Sequence, residues 1–243
     1  YALPILIGYL AYFTLNRSGM LLLQRHVSTE ELAIFGLAQQ LSMIAAIACS
    51  SFGSALQPAV FGAERDDVNR IMDRAASQLT LIMLAVCSAL MLFAVDMIDL
   101  IAPEAYAAGA TLLLVLIAAN FTNTFALLSD TALLYHYRPK TSVAISVASA
   151  VVAAGLGWLL VPHWYAEGAA ISVAGGLAFR MVVSQWVAWR ISGQSQIALA
   201  VPAIILIALI ALVATQLREA QMPMAVLILI KLGVCALSVG TFY

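Results

Sequence analysis

Four charged residues interrupt runs that otherwise have the composition of apolar helices: Arg17, Asp130, Arg180 and Lys231. A charge at the centre of a bilayer costs at least about 2.5 kcal/mol and is retained only where something compensates it. Compensation comes from a buried partner of opposite charge or from a bound ligand. An Arg in such a position therefore points either to an internal ion pair or to the binding of an anion.

Small residues surround Arg180 at regular spacing. Gly168, Ser172, Gly176, Arg180 and Ser184 follow one another at four-residue intervals, so they share one helix face. Because small residues let two helices approach closely, this face should contact protein, not lipid. An ion pair of Arg180 with Asp130 is favoured over contact between Arg180 and a substrate. No acidic residue precedes Lys231 in the neighbouring apolar run, so its partner is not predicted.

Two stripes of polar residues recur at helical spacing. One of them, in the run that holds Asp130, indicates either contacts between helices or a wet surface, and contacts are slightly favoured. The other spans a whole bilayer thickness and predicts the wall of a water-filled cavity. The first stripe contains Asn120, Asn123, Thr124, Asp130 and Thr131, and the second contains Gln39, Ser42, Cys49, Ser50, Gly53 and Gln57.

Arg17 follows Tyr9, Tyr12 and Asn16, which lie on overlapping faces of the same predicted helix. Its long side chain permits two positions: it snorkels to the outer membrane interface, or it projects into the cavity beside the Gln39–Gln57 stripe. The polar side of this helix favours the cavity. We therefore predict that Arg17, Asn16, Tyr12, Gln39, Ser42 and Gln57 line a substrate cavity.

The composition identifies the elements that position these residues. Hydrophobic residues make up 64% of the 243 residues and charged residues only 9%, with a mean hydropathy of +1.02. Such a chain is predicted to be an all-α integral membrane protein. The net charge of -1 gives no indication of nucleic-acid binding. The chain starts inside an apolar segment, which suggests the later part of a longer protein.

Breaks in the apolar pattern divide the chain into eight segments long enough to cross a bilayer. Prolines at 103, 139, 162 and 223 fall at their junctions, and Ser28 with Glu31 has the spacing of a capping box. We predict that residues 1–190 form a six-helix bundle and that 191–243 add two helices on its outside. The segments are 1–24, 29–60, 76–102, 106–135, 140–161, 167–190, 197–216 and 222–242.

The connection over residues 62–78 has a pattern of its own. Val68, Ile71, Met72, Ala75, Ala76 and Leu79 recur at helical spacing opposite Arg and Asp side chains. This predicts an amphipathic surface helix that leads into the third segment. A lipid-sensing or partner-binding role is possible for such a helix, but a solvated connection is the favoured interpretation, and no chemistry is assigned to it.

Basic residues in the connections predict the orientation. Six of them, Arg65, Arg70, Arg74, Arg138, Lys140 and Arg190, fall in the connections after the second, fourth and sixth segments, against Arg25 and Arg218 in the others. Since Lys and Arg are retained on the cytoplasmic side, both ends of the chain should be cytoplasmic.

Residues for catalysis are scattered. His26, His136 and His163 lie at segment ends without mutual spacing, and Cys49, Cys87 and Cys235 lie within apolar runs. No nucleophile, metal or phosphate-loop motif is present in the sequence. We therefore expect no enzyme activity, no metal and no cofactor.

Four stretches together resemble a known family. YALPILIGYLAYFTLNRSGMLLL, with a Pro near its start and the pair Asn16 and Arg17 near its end, resembles the seventh helix of the Wzx-type oligosaccharide and polysaccharide flippases. These belong to the multidrug/oligosaccharidyl-lipid/polysaccharide exporter superfamily. ELAIFGLAQQLS is similar to the start of the eighth helix, IAPEAYAAGATLLLVL to the start of the tenth, and RPKTSVAISVASAVVAAGLGWLLVPHWYAEGAA to the eleventh.

The resemblance implies a two-lobed carrier of about fourteen helices, to which this chain contributes helices seven to fourteen without the N-terminal lobe. Family members move an undecaprenyl-pyrophosphate-linked sugar unit across the bacterial inner membrane by alternating access, for surface polysaccharides such as O-antigen. The first two helices of each lobe line the cavity. The implied partners are this lipid-linked oligosaccharide, the bilayer and a coupling proton or sodium ion, with a monomeric full-length chain.

Three other functions stay open at this point. A multidrug exporter of organic cations would be better served by a cavity carboxylate, and neither of the first two segments has one within its membrane span. A membrane glycosyltransferase or acyltransferase would need carboxylates or a His at a reacting group. A scaffold subunit without transport activity is not distinguished by sequence.

Overall fold

The computed structural model describes residues 2–64, 67–193, 196–219, 231 and 233–234. These residues are helical almost throughout and contain no strand, which confirms the all-α class. A short 3₁₀ turn, Glu104–Tyr106, precedes α5. The helices are α1 (Ala2–Leu23), α2 (Thr29–Phe61), α3 (Val68–Leu92), α4 (Ala94–Ile101), α5 (Gly109–Tyr135), α6 (Pro139–Ser192) and α7 (Ile197–Glu219).

Within the described residues, five helices are long and apolar enough to cross a membrane, namely α2, α3, α5, α6 and the first 20 residues of α7. Large apolar side chains such as Ile47, Trp158 and Leu209 are more than half exposed, as is typical of surfaces that face lipid. The chain therefore has the architecture of a multi-pass membrane protein. The number of eight crossings stays a prediction.

The amphipathic connection and the third predicted segment are one helix. α3 runs without a break from Val68 to Leu92, with Val68, Met72 and Ala76 buried and Arg70 exposed. The predicted amphipathic pattern is confirmed, but it forms the first turns of a long helix, not a separate surface helix. The third segment also does not reach 102 as a single helix, because Phe93 leaves helical geometry and the short α4 follows.

The fifth and sixth predicted segments form a hairpin within α6. The chain reverses at Tyr165, whose φ of 43° and ψ of -120° are not helical, so α6 consists of two arms, 139–164 and 166–192. The first arm continues past Pro162, where the sequence predicts its end. Gly176 lies so close to the first arm that a Cβ there would be 2.6 Å from Ala153 Cβ. The close approach predicted for this small-residue face is therefore present.

The helices pack around α5. α1 lies mainly along α6, α2 lies mainly along α5, and α1 has only a small contact with α2. The N-cap of α2 confirms the serine half of the predicted capping box, since Ser28 Oγ accepts a hydrogen bond from Glu31 N at 3.3 Å.

The last helix with described bounds, α7, has α3 and α5 as its main neighbours. Its buried side chains Ala203, Ile207 and Ile210 form one stripe. The predicted final helix, 222–242, lies outside the described residues except for Lys231, Gly233 and Val234. A separate unit of two outer helices over 191–243 stays a prediction.

Candidate functional site

Arg180 is at the centre of a buried polar cluster between α1, α5 and α6. Its Nη2 lies 2.5 Å from Asp130 Oδ2, and its Nη1 donates to Asn123 Oδ1 at 2.7 Å. The guanidinium carbon lies 5.0 Å from the centroid of the Tyr12 ring, close enough for a cation–π contact. The predicted ion pair of Asp130 with Arg180 is present, and both side chains are nearly buried, at 13% and 11% exposed.

Asp130 is held from a second side. Its Oδ1 accepts a hydrogen bond from Ser142 Oγ at 2.8 Å, so both carboxylate oxygens have partners. Two charges taken out of water need such additional hydrogen bonds, because their mutual attraction alone does not offset the loss of hydration. The cluster is thus internally neutral and joins both arms of α6 to α5.

The polar stripe of α5 connects helices, as the sequence analysis slightly favoured. Asn123 Nδ2 donates to Tyr12 Oη at 3.3 Å, which ties α5 to α1. Asn120 Nδ2 lies 3.4 Å from Ser42 Oγ, which ties α5 to α2. Each of these contacts pairs a polar group of α5, at most 8% exposed, with a polar group of another helix. The stripe acts as contacts between helices, not as a wet surface.

The stripe on α2 is a correction to the sequence analysis. Gln39, Ser42 and Cys49 are at most 3% exposed, because α5 packs against this side of α2. Gln39 Nε2 also donates to the backbone oxygen of Asn16. The predicted water-filled cavity is therefore wrong along this part of the stripe. Only Ser50, which is exposed, and Gln57, which is half-buried, retain access to the surface.

Arg17 is in a different environment. Its Nη1 lies 3.8 Å from Met20 Sδ, and its guanidinium carbon lies 5.9 Å from the centroid of the Phe13 ring, both on its own helix. Phe13 is 61% exposed, and Arg17 itself is half-buried. No ion pair to Arg17 exists within the part of the chain that the structure describes. The described contacts of its cationic head are therefore with Met20 and Phe13 of its own helix.

Lys231 has the partner that sequence reasoning missed. Its ammonium group forms a salt bridge with Asp96 of α4 and lies 5.1 Å from the centroid of the Phe93 ring. The apolar run that precedes Lys231 does not reveal this partner, because Asp96 is 135 residues away in sequence. The available signal in the sequence was Asp96 itself, an acidic residue near the end of the predicted segment 76–102.

The six predicted cavity residues are thus divided. Tyr12, Gln39 and Ser42 make contacts that hold helices together, and Asn16 Nδ2 donates to the backbone oxygen of Tyr12 at 2.9 Å. Arg17 and Gln57 retain partial exposure. Contact between these residues and a substrate stays a prediction.

The described residues contain no group of three His, Cys, Asp or Glu side chains that would suit a metal ion. Cys49 and Cys87 are buried free thiols, and Cys235 lies outside the described residues. No protein-family model, curated protein or solved structure matches the chain. A function must therefore be inferred from the residues themselves.

Proposed function

We propose that this chain is the C-terminal part of a flippase that moves an undecaprenyl-pyrophosphate-linked sugar unit across the bacterial inner membrane by alternating access. The observation that carries the proposal is Arg17, a cation in an apolar helix without an ion-pair partner among the described residues. The sequence has no nucleophile, metal or phosphate-loop motif, so transport is favoured over a glycosyltransferase or acyltransferase.

Arg17 differs from the two other cations that lie within apolar helices, because each of those has an acidic partner. Arg180 is paired with Asp130, and Lys231 is paired with Asp96. Within the described residues, acidic side chains therefore neutralise two of the three cations that interrupt apolar helices, and Arg17 has no acidic partner. Because an uncompensated charge in a membrane helix is costly, its retention favours a role that uses the charge.

A guanidinium suits a pyrophosphate for three reasons. It stays protonated at any physiological pH, it presents five N–H donors, and its planar fork matches two phosphate oxygens at once. A Lys at the same position would supply charge without the fork. We therefore expect Lys to replace Arg17 only in part.

A carrier of organic cations is supported less well. Such a carrier needs an accessible carboxylate in the membrane, but Asp130 already has partners on both oxygens. Glu30 and Glu31 lie in the first turn of α2, at the end of the helix, and are exposed. No described residue of α1 offers a carboxylate.

The test is complementation by the full-length protein in a strain that lacks its own flippase. Arg17→Ala should lower surface polysaccharide at least about tenfold at matched protein abundance, while the lipid-linked intermediate accumulates. Arg17→Lys should give an intermediate level. Arg25→Ala, which removes an exposed Arg just beyond α1, is the matched control and should leave the level unchanged.

The outcomes separate the alternatives. Snorkelling of Arg17 to lipid headgroups would let Lys replace Arg fully. An enzyme that builds the sugar unit would show loss of the lipid-linked intermediate, not its accumulation. Unchanged polysaccharide in the Arg17→Ala variant would remove Arg17 from the mechanism.

A further inference from the structure

A groove lies between the C-terminal half of α2 and the first turns of α3. It has a volume of 380 Å³, and neither the polar cluster nor Arg17 contributes to its lining. Its position matches the amphipathic pattern that the sequence analysis left without a chemical role. One wall is apolar and the other is basic.

The apolar wall is a ridge on α2. Phe52, Ala55, Leu56 and Ala59 are spaced by three, four and seven residues from Phe52, so they face the same side. Ala55 and Ala59 are exposed, and Phe52 is half-buried. Such a ridge offers an acyl chain a continuous surface without a polar group.

The basic wall is on α3, where Arg70, Arg74 and Gln78 follow at four-residue intervals and are all exposed. The opposite face of these turns is anchored in the core by Met72 and Ala76, which are at most 2% exposed. The three donor side chains are therefore presented by a fixed helix, not by a mobile loop.

The charges of the groove do not cancel. Arg70 Nη1 lies 3.9 Å from Asp67 Oδ1, and both side chains are more than half exposed, so this pair is weak. Arg74 has no ion pair within the described part of the chain. Two Arg and one Asp in the lining give a net charge of about +1 next to an apolar surface.

The two walls extend to different distances from the connection that follows α2. Arg70 and Arg74 lie two and six residues after the start of α3 at Val68, about 3 and 9 Å along the helix, whereas Phe52 lies nine residues before the end of α2 at Phe61, about 14 Å along the helix at about 1.5 Å per residue. The predicted orientation places this connection on the cytoplasmic side. An anionic headgroup would therefore meet the two Arg side chains while its chain lies along the ridge.

We propose that this groove binds an anionic phospholipid of the cytoplasmic leaflet, with Arg70 and Arg74 donating to the headgroup phosphate. The amphiphilic lining favours a lipid over a soluble phosphate, which would leave the ridge uncovered, and over an acidic peptide, which would not reach into the bilayer. This site is independent of Arg17 and of the transport proposal.

The test is a titration of the full-length protein in detergent with phosphatidylglycerol or phosphatidylcholine of identical acyl chains, followed by native mass spectrometry. The unmodified protein should bind phosphatidylglycerol at least about tenfold more tightly. The R70Q/R74Q variant should lower the affinity for phosphatidylglycerol about tenfold and bring the two lipids to within about twofold of each other.

Two controls keep the result specific. R138Q/K140Q removes the same number of exposed charges from another connection and should retain the preference. Ala55→Trp fills the groove and should abolish binding of phosphatidylglycerol, whereas Ala208→Trp, at an exposed alanine of α7, should not.

The proposal is overturned if R70Q/R74Q keeps its preference for phosphatidylglycerol, or if R138Q/K140Q loses it equally, since charge alone would then explain binding. Binding by Ala55→Trp at unchanged affinity would also overturn it. All four variants carry changes at exposed positions, and monodisperse elution with unchanged helical circular dichroism shows that each is folded.

Discussion

Arg180 and Arg17 are the same residue type in two apolar helices, yet their surroundings differ. Arg180 is enclosed by Asp130, Asn123 and the Tyr12 ring, whereas the polar and cation–π contacts of Arg17 within the described residues are with Met20 and the exposed Phe13 of its own helix. The first guanidinium holds three helices together. The second has no ion pair among the described residues, so the comparison separates a charge that supports the fold from one that we propose is used in transport.

The largest effect should follow from breaking the Arg180 ion pair. Asp130→Asn keeps the shape of the side chain but leaves a buried guanidinium unpaired, which should lower the free energy of unfolding by about 3–5 kcal/mol. Chemical denaturation in detergent micelles measures this change. The D130L/R180M double variant removes both charges and should be more stable than Asp130→Asn alone. A double variant less stable than Asp130→Asn would show that the charges themselves stabilise the fold.

A smaller loss of stability should follow from a substitution that pushes the second arm of α6, which carries Arg180, away from the first arm. Gly176 lies one turn before Arg180, and a Cβ there would be 2.6 Å from Ala153 Cβ, so Gly176→Ala should cost about 1–3 kcal/mol. Gly155→Ala is the matched control, because no atom lies within 4 Å of a Cβ at that position. Equal stability of the two variants would mean that the arms of α6 separate without cost.

Breaking the ion pair between Lys231 and Asp96 should lower the stability still less. Asp96 is 41% exposed, so water screens its attraction to Lys231. Lys231→Met leaves behind only the carboxylate that water reaches, so it should lower the free energy of unfolding by less than about 1 kcal/mol in the same denaturation measurement. A loss as large as that of Asp130→Asn would place Lys231 in the same class as Arg180.

The smallest effect on stability should come from Arg17 itself. Because its guanidinium has no ion pair among the described residues, Arg17→Gln should change the free energy of unfolding by no more than about 0.5 kcal/mol. The same variant should reduce polysaccharide export in the complementation assay. A destabilisation of several kcal/mol would instead make Arg17 a structural residue and remove the contrast with Arg180.

Sequence reasoning was most reliable where one physical rule acts alone. Composition predicted an all-helical membrane protein, the Ser28 spacing predicted a helix cap, and small residues around Arg180 predicted close packing. The pairing of Arg180 with Asp130 followed because a buried Arg has few possible partners in a chain so poor in charge.

Sequence reasoning failed where two environments produce the same pattern. A polar stripe on a helix looks alike whether it faces water or another polar helix, so the stripe of Gln39, Ser42 and Cys49 was assigned to a cavity although α5 covers it. The predicted ends of the third and fifth segments were wrong for a similar reason. Pro162 permits the helix to continue for two more residues before the reversal at Tyr165, and nothing in the local pattern places the break at Phe93.

The reversal at Tyr165 also determines where the chain tolerates added sequence. The two arms of α6 are joined by one non-helical residue. They pack so closely that a Cβ added at Gly168 would lie 2.6 Å from the backbone oxygen of Leu160. An epitope tag inserted there would have to push the arms apart, whereas Gly193, with no atom within 4 Å of an added Cβ, leaves room around it. Topology mapping by tag insertion should therefore use the connection after α6 and avoid the hairpin within it.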